Sequence, residues 1–148
     1  MPEPVSPTAP SPAPTGAGPG RLLVWLYGVF TVAAGARSAV QISTGFGDAP
    51  VAYLLSALAA AVYAVMTVTL ARGGPTARRI SWAGAVLELT GVLAVGTVSF
   101  LAPDAFPDAT VWSHFGSGYV CIPLALPIAG LLWLRRTGAP DAAPAGSR

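Results

Sequence analysis

Ionisable and redox-active side chains are scarce in this 148-residue chain. It has no lysine, one cysteine and one histidine, and 9% of its residues are charged, whereas soluble domains carry about 25%. The single cysteine, Cys121, excludes an intramolecular disulfide and any paired-cysteine redox motif. The single histidine, His114, excludes a bis-histidine haem or a multi-histidine metal site within one chain. We therefore expect no enzyme, no metal and no cofactor, and a net charge of +2 is too small to indicate nucleic acid as a partner.

Long apolar segments make up most of the remaining sequence. The clearest one runs from Ile80 to Leu101, is apolar on every face and contains one ionisable side chain, Glu88. A helix of this length spans about 33 Å, which is close to the thickness of the hydrocarbon core of a bilayer. Three similar segments predict an all-α, polytopic membrane protein built as a four-helix bundle. The predicted spans are residues 22–44, 50–71, 80–101 and 110–134.

Both ends of the chain have a different composition. Residues 1–20 contain seven prolines and almost no bulky apolar side chain, and residues 137–148 are rich in alanine, glycine and proline. Such segments cannot bury enough apolar surface to offset the entropy lost on ordering, so we expect two disordered tails. The predicted transmembrane domain is therefore residues 21–136.

Arginines distinguish the two sides of the predicted bundle. Positively charged flanks stay in the cytoplasm, which predicts an up-down-up-down, multi-pass protein of the plasma membrane with both termini inside. An alternative stays open, in which residues 1–36 are a signal peptide cleaved before Arg37, but it leaves the later spans oriented the same way. The residues on the arginine side are Arg21, Arg72, Arg78, Arg79, Arg135 and Arg136, and those on the other are Asp48, Asp104, Asp108 and His114.

Two ionisable side chains, Arg37 and Glu88, lie inside the predicted spans. Charged groups are costly in lipid and usually face the interior of a bundle. Glu88 would lie about 12 Å and Arg37 about 22 Å from the cytoplasmic ends of their spans, which predicts two polar layers rather than a direct ion pair. The polar candidates inside the membrane are Arg37, Gln41, Tyr63, Glu88 and Tyr119.

The inner layer is expected to join Glu88 to Tyr63, as its nearest donor, and to Thr31 and Thr67. The outer layer is expected to surround Arg37, unless that side chain extends outward to lipid headgroups or to Asp48. Its expected members are Arg37, Ser38, Gln41, Ser56, Thr97, Tyr119 and His114.

Aromatic residues, prolines and the cysteine lead to further expectations. Trp25 and Tyr27 are predicted to lie in an interfacial aromatic belt, and Trp112 in the outer turn of the fourth span. Pro123 and Pro127 predict a kink in that span, because each removes a helical hydrogen bond. Cys121 is expected to be a small buried side chain.

Four stretches carry a resemblance to known proteins: ARSAVQISTGF, APVAYLLSALAAAVYAV, RRISWAGAVLELTGVLAVGTVSF and FPDATVWSHFGSGYV. Together they resemble small four-span integral membrane proteins of high-GC actinobacteria, over residues 21–136. This resemblance implies no particular activity and no functional residues. Small multidrug transporters also have four spans, but their membrane glutamate is in the first span, whereas Glu88 is in the third.

Two functional hypotheses follow. The first is a non-enzymatic accessory or lipid-interacting helical bundle whose partners are the bilayer and a second copy or another membrane protein. The alternative is a small oligomeric, proton-coupled transporter or channel, with Glu88 as the proton site and Arg37 as the substrate anchor. A single bundle of four helices has little room for a permeation path, so transport would require at least a dimer.

Overall fold

The computed structural model describes residues 18–138, and this part of the chain is helical with no β-strand. Two short 3₁₀ segments, Pro103–Ala105 and Ser113–Tyr119, lie between the third and fourth helices. The all-α prediction is therefore confirmed, whereas most of the two predicted tails lies outside the described residues. The α-helices are α1 (Pro19–Gly45), α2 (Pro50–Arg72), α3 (Pro75–Leu101) and α4 (Ile122–Thr137).

Proline marks the beginning of every α-helix. Each of the four helices has a proline in its first two positions, where the missing N–H removes no helical hydrogen bond. As a result α1 begins at Pro19 and α3 at Pro75, each several residues before the apolar run that predicted it. An apolar run covers only the part of a helix that is compatible with the lipid interior. The helix itself continues into the polar flanking residues.

The first three helices are each long and apolar enough to cross a membrane, as predicted. The fourth predicted span, residues 110–134, is wrong as a single helix. The chain bends by 99° between Ser113–Tyr119 and α4, so a fourth span exists only if both pieces are counted together. Helix α4 has 16 residues and by itself extends about 24 Å, which is less than a bilayer core.

Backbone conformation explains why the helix is interrupted. Between residues 18 and 138, four residues other than glycine have positive φ, a region that a continuous right-handed helix cannot contain. Pro123, two residues after Cys121, has no N–H to donate to a preceding helical turn. The regular helix therefore begins only at Ile122. The kink expected from the prolines therefore occurs before Pro123, as a complete break. The four residues are His114, Phe115, Val120 and Cys121.

The helices form a closed ring in chain order, with α4 returning to α1. The beginnings of α1 and α3 meet the ends of α2 and α4, because Gly20 approaches Trp133 and Thr69 is hydrogen-bonded to Ser81 at 2.8 Å. Arg78 donates to the carbonyl of Leu134 at the same place. We call this the arginine end, since the six arginines that flank the predicted spans belong to it. We call the opposite end the acidic end.

The outside of the ring is apolar. Large side chains such as Trp25, Val32 and Phe100 expose 64%, 71% and 61% of their surface. Soluble monomers rarely expose contiguous apolar surface of this kind, whereas a surface in contact with lipid requires it. The apolar helices are therefore consistent with a membrane protein.

Candidate functional site

The only acidic side chain within the described helices α1 to α4 is Glu88, which lies thirteen residues from either end of α3. It is completely buried, at 0% exposure. Its Oε2 accepts a hydrogen bond of 2.8 Å from the Tyr27 hydroxyl, and its Oε1 has no partner. Tyr27, on α1, is itself 0% exposed. The two helices are therefore joined by a buried phenol–carboxyl pair.

Two predictions, one about Tyr27 and one about Tyr63, are wrong. Tyr27 does not lie in an interfacial belt, and it takes the donor role expected of Tyr63. The reason is the face of α1 on which Tyr27 lies: a buried stripe of Leu23, Tyr27, Phe30, Ala34 and Ser38 follows the helical spacing of three or four residues. The other faces of α1 are also largely apolar, so the sequence does not distinguish this stripe from its neighbours.

Tyr63 instead binds the interrupted part of the chain. Its hydroxyl accepts a hydrogen bond of 3.1 Å from the indole nitrogen of Trp112, which is 2% exposed. Thr31 and Thr67 approach each other at 3.5 Å and donate to carbonyls of their own helices, so neither joins Glu88. Trp112 is thus part of the core and not of an outer interfacial turn.

The outer layer does form around Arg37. Its Nη2 donates to the carbonyl of Ala109 at 3.0 Å, and its Nη1 donates to the Tyr119 hydroxyl at 3.3 Å. One turn later on α1, Gln41 donates to the Asp108 carboxylate at 3.0 Å. All three contacts join α1 to residues 106–121, which we call the bent segment. Arg37 therefore turns toward the protein rather than to Asp48.

The other expected members of the outer layer differ in position. Ser56 accepts a hydrogen bond of 3.3 Å from the backbone N–H of Val111, so it also binds the bent segment. Ser38 is buried but donates to a carbonyl of its own helix. Thr97 is exposed on α3, and His114 is exposed with its ring centroid 4.9 Å from that of Phe100. Neither joins Arg37, because each lies on a face turned away from the interior.

Polar groups within the bent segment satisfy much of its own backbone. The Thr110 hydroxyl accepts from the N–H groups of Trp112 and Ser113, both at 3.0 Å, and the Ser113 hydroxyl accepts from the N–H of Thr110 at 2.9 Å. Non-helical backbone at membrane depth is tolerated where protein covers it. These bonds, with the burial of Val111 and Trp112, meet that requirement.

Two glycines of α3 make room for this arrangement. A Cβ atom at Gly91 would lie 2.6 Å from the Trp112 ring, closer than any ordinary contact. A Cβ at Gly96 would meet the ring of Phe115. Gly91 and Gly96 therefore leave room for aromatic side chains of the bent segment, and Gly96 also for the backbone nitrogen of Phe115.

The chemical capacity of these clusters is narrow. In residues 18–138, no group of three or more histidine, cysteine or acidic side chains could hold a metal ion. Arg37 and Glu88 are not paired, and each contacts a different set of residues. Cys121 is exposed rather than buried, and it is one of the four left-handed residues of the bent segment.

The fold and these clusters define an all-helical protein with three or four candidate membrane spans. No protein-family profile, curated protein or solved structure matches the chain. The resemblance to small actinobacterial membrane proteins stays a prediction.

Proposed function

We propose that the protein is a four-span, up-down-up-down bundle of the plasma membrane, with both termini and the arginine end in the cytoplasm. Within it, Glu88 and Arg37 hold the bundle together, and the protein acts without catalysis as an accessory or lipid-interacting component. The relationship to small four-span actinobacterial proteins is part of this proposal.

One observation carries the structural role of the two charged residues. Arg37 and Glu88 each bind a group on another part of the chain, namely the carbonyl of Ala109 and the hydroxyl of Tyr27. Polar side chains inside a membrane join helices in this way when a neighbouring group satisfies them. Arg37 therefore fastens the bent segment to α1, and Glu88 fastens α3 to α1.

The arrangement of charges supports the proposed orientation. The arginine end holds six arginines and none of the acidic residues of the described chain, whereas Asp48, Asp104 and Asp108 belong to the acidic end. Arginine-rich flanks remain on the cytoplasmic side during insertion. The contact between Arg78 and the carbonyl of Leu134 brings the end of α4 to that same side.

Impermeant thiol labelling of intact cells tests the orientation. In a Cys121→Ser background, Asp104→Cys is expected to be labelled from outside and Arg79→Cys only after permeabilisation. Both positions are exposed, so access depends on the side of the membrane. Labelling of Arg79→Cys and protection of Asp104→Cys would overturn the orientation.

One observation favours the alternative of proton-coupled transport. The Oε1 atom of Glu88 has no hydrogen-bond partner, which leaves a site where a proton could bind. Proton flux into proteoliposomes distinguishes the two roles. We expect the wild type and Glu88→Gln to be equal to protein-free vesicles, whereas flux in the wild type that a folded Glu88→Gln lacks would establish transport.

Purification in a mild detergent tests the accessory role. A membrane-protein partner is expected to co-purify in a fixed ratio, or the chain to purify as a homo-oligomer with bound lipid. The variant Arg79→Gln is purified in parallel as a control and should behave like the wild type, since this exposed side chain makes no hydrogen bond in the described structure. A lipid-free monomer would contradict both forms of the proposal.

A further inference from the structure

Helices α1 and α4 pack together less closely than the other neighbouring helices of the ring do. The two helices approach at Gly20 and Trp133, where a Cβ on the glycine would lie 2.6 Å from the indole ring. Farther along, Gly130 lies beside the Tyr27 hydroxyl, 3.7 Å from where its Cβ would be. On the outer side of these contacts is a groove of about 450 Å³.

The groove is apolar along almost its whole length. Its deepest residues are Leu23 and Leu126, which are 6% and 2% exposed. Its rim includes Leu22 and Leu132, which are 61% and 49% exposed. Because the deep residues belong to the core and the rim residues to the exterior, the groove opens sideways, toward the surface that we assign to lipid.

The dimensions of the groove suit one hydrocarbon chain. Its wall on α4 extends from Ile122 to Arg136, which is about 21 Å along the helix. Half of the hydrocarbon core of a bilayer is about 15 Å thick. Ala125 and Ala129 leave space for a ligand along this wall, since they lie one turn apart and have only methyl side chains.

A single charge lines the groove, and it lies at one end. Arg136 is in the last turn of α4, at the arginine end, close to Trp133 and Pro19. It is exposed and forms no ion pair within the described chain. An arginine at the membrane surface matches the charge and geometry of a phosphate group.

We propose that this groove binds one acyl chain of an anionic phospholipid from the leaflet at the arginine end, with the lipid phosphate on Arg136. The inference rests on the proposed membrane-spanning arrangement and names the lipid that the protein would bind. The acyl chain covers Leu23 and Leu126, while Trp133 lies at headgroup level, where tryptophan is favoured.

Native mass spectrometry of delipidated protein tests the site. The protein is titrated with phosphatidylglycerol or with phosphatidylcholine carrying identical acyl chains. For the wild type we expect one tightly bound phosphatidylglycerol. Arg136→Gln is expected to weaken it about five-fold, the effect of removing about 1 kcal/mol per basic residue, and to leave phosphatidylcholine unchanged. Arg79→Gln, at the same end but outside the groove, is the matched control.

Groove filling provides the second measurement. Ala129→Leu places a larger side chain in the groove and is expected to abolish the first bound lipid of either kind. Ala94→Leu is the control, because Ala94 is exposed on α3 away from this groove. If Ala129→Leu does not fold, Ala125→Leu fills the neighbouring turn of the same wall.

Three results would overturn the inference: equal binding of the two lipids to the wild type, an unchanged adduct in both groove-filled variants, or a lipid-free dimer that the filled variants disrupt. The last result would make a second copy the occupant. Extraction of membranes with alkaline carbonate separates these failures from that of the proposed function. A chain that stays in the membrane but fails the lipid test disproves only the lipid site, whereas a released chain disproves the membrane-spanning arrangement.

Discussion

The two ends of the bundle stabilise the backbone by different means. At the arginine end, α1, α2, α3 and α4 are regular helices, which satisfy most of their N–H and C=O groups internally. At the acidic end, three helices surround the bent segment, which has left-handed residues and a 99° turn. There, side chains must supply the hydrogen bonds that a regular helix makes within its own backbone. Irregular backbone within a bundle therefore needs a set of polar and aromatic anchors that a plain helix does not need.

The anchors of the bent segment come from the regular helices of the ring. Trp112 is held by Tyr63 of α2, Val111 by Ser56 of α2, and Ala109 by Arg37 of α1. At the centre of the bundle Tyr27 binds Glu88, and at the arginine end Thr69 is hydrogen-bonded to Ser81 and Arg78 donates to the carbonyl of Leu134. The comparison predicts that the polar contacts of Arg37 act locally, whereas buried groups in the core, including Trp112 and Tyr27, stabilise the entire bundle.

Trp112→Ala is expected to have the largest effect. Removing a buried tryptophan costs about 3–5 kcal/mol, through lost contacts and the cavity left behind. The free energy of unfolding in detergent micelles measures it. Trp25→Ala is the control, because Trp25 is 64% exposed and should change stability by less than about 0.5 kcal/mol. Equal losses in the two variants would show that Trp112 is not a core residue.

Gly91→Ala should destabilise the protein by about 1–3 kcal/mol, since the new Cβ would overlap the Trp112 ring and force it to move. Gly35→Ala is the matched control on α1, where a Cβ meets nothing within 4 Å and alanine favours the helix. Thermal unfolding of both variants decides the matter. A stabilising Gly91→Ala would mean that the ring does not lie against α3.

Tyr27→Phe removes the one donor to Glu88 and should cost about 1.5 kcal/mol, because a buried acceptor is left without a partner. The double variant Tyr27→Phe with Glu88→Leu should recover part of that loss, since both polar groups are then gone. A thermodynamic cycle over the single and double variants measures the coupling. Strict additivity would disprove the hydrogen bond.

Arg37→Gln is expected to have the smallest and most local effect. Loss of its bonds to Ala109 and Tyr119 should speed amide hydrogen exchange in residues 109–121 about five-fold, which corresponds to about 1 kcal/mol. Exchange around Glu88 should be unchanged. Uniformly faster exchange in both halves would show that Arg37 stabilises the entire bundle and not the bent segment alone.

Some of these contacts could be anticipated and others could not. The depth of Arg37 and Glu88 along their helices correctly kept them apart, because position along a helix follows from residue number. The prediction that Tyr63 is the partner of Glu88 is wrong, since Tyr63 lies at a similar depth on α2 but faces Trp112. Choosing between donors at one depth requires the rotation of each helix, which the nearly uniform apolar surface of these segments does not reveal.

The amino-acid sequence alone determined the helical class, the first three long helices and the division of charge between the two ends. Those properties follow from local composition, apolar length and proline positions, and they need no knowledge of neighbours. Only the tertiary structure decided that the fourth apolar stretch is broken and that Tyr63, Ser56 and Arg37 hold it in place. The physical reason is that an apolar run suits a span and a buried irregular segment equally well. Which of the two forms depends on the other helices: their glycines must leave space for the irregular segment, and their hydroxyl groups must bond to it.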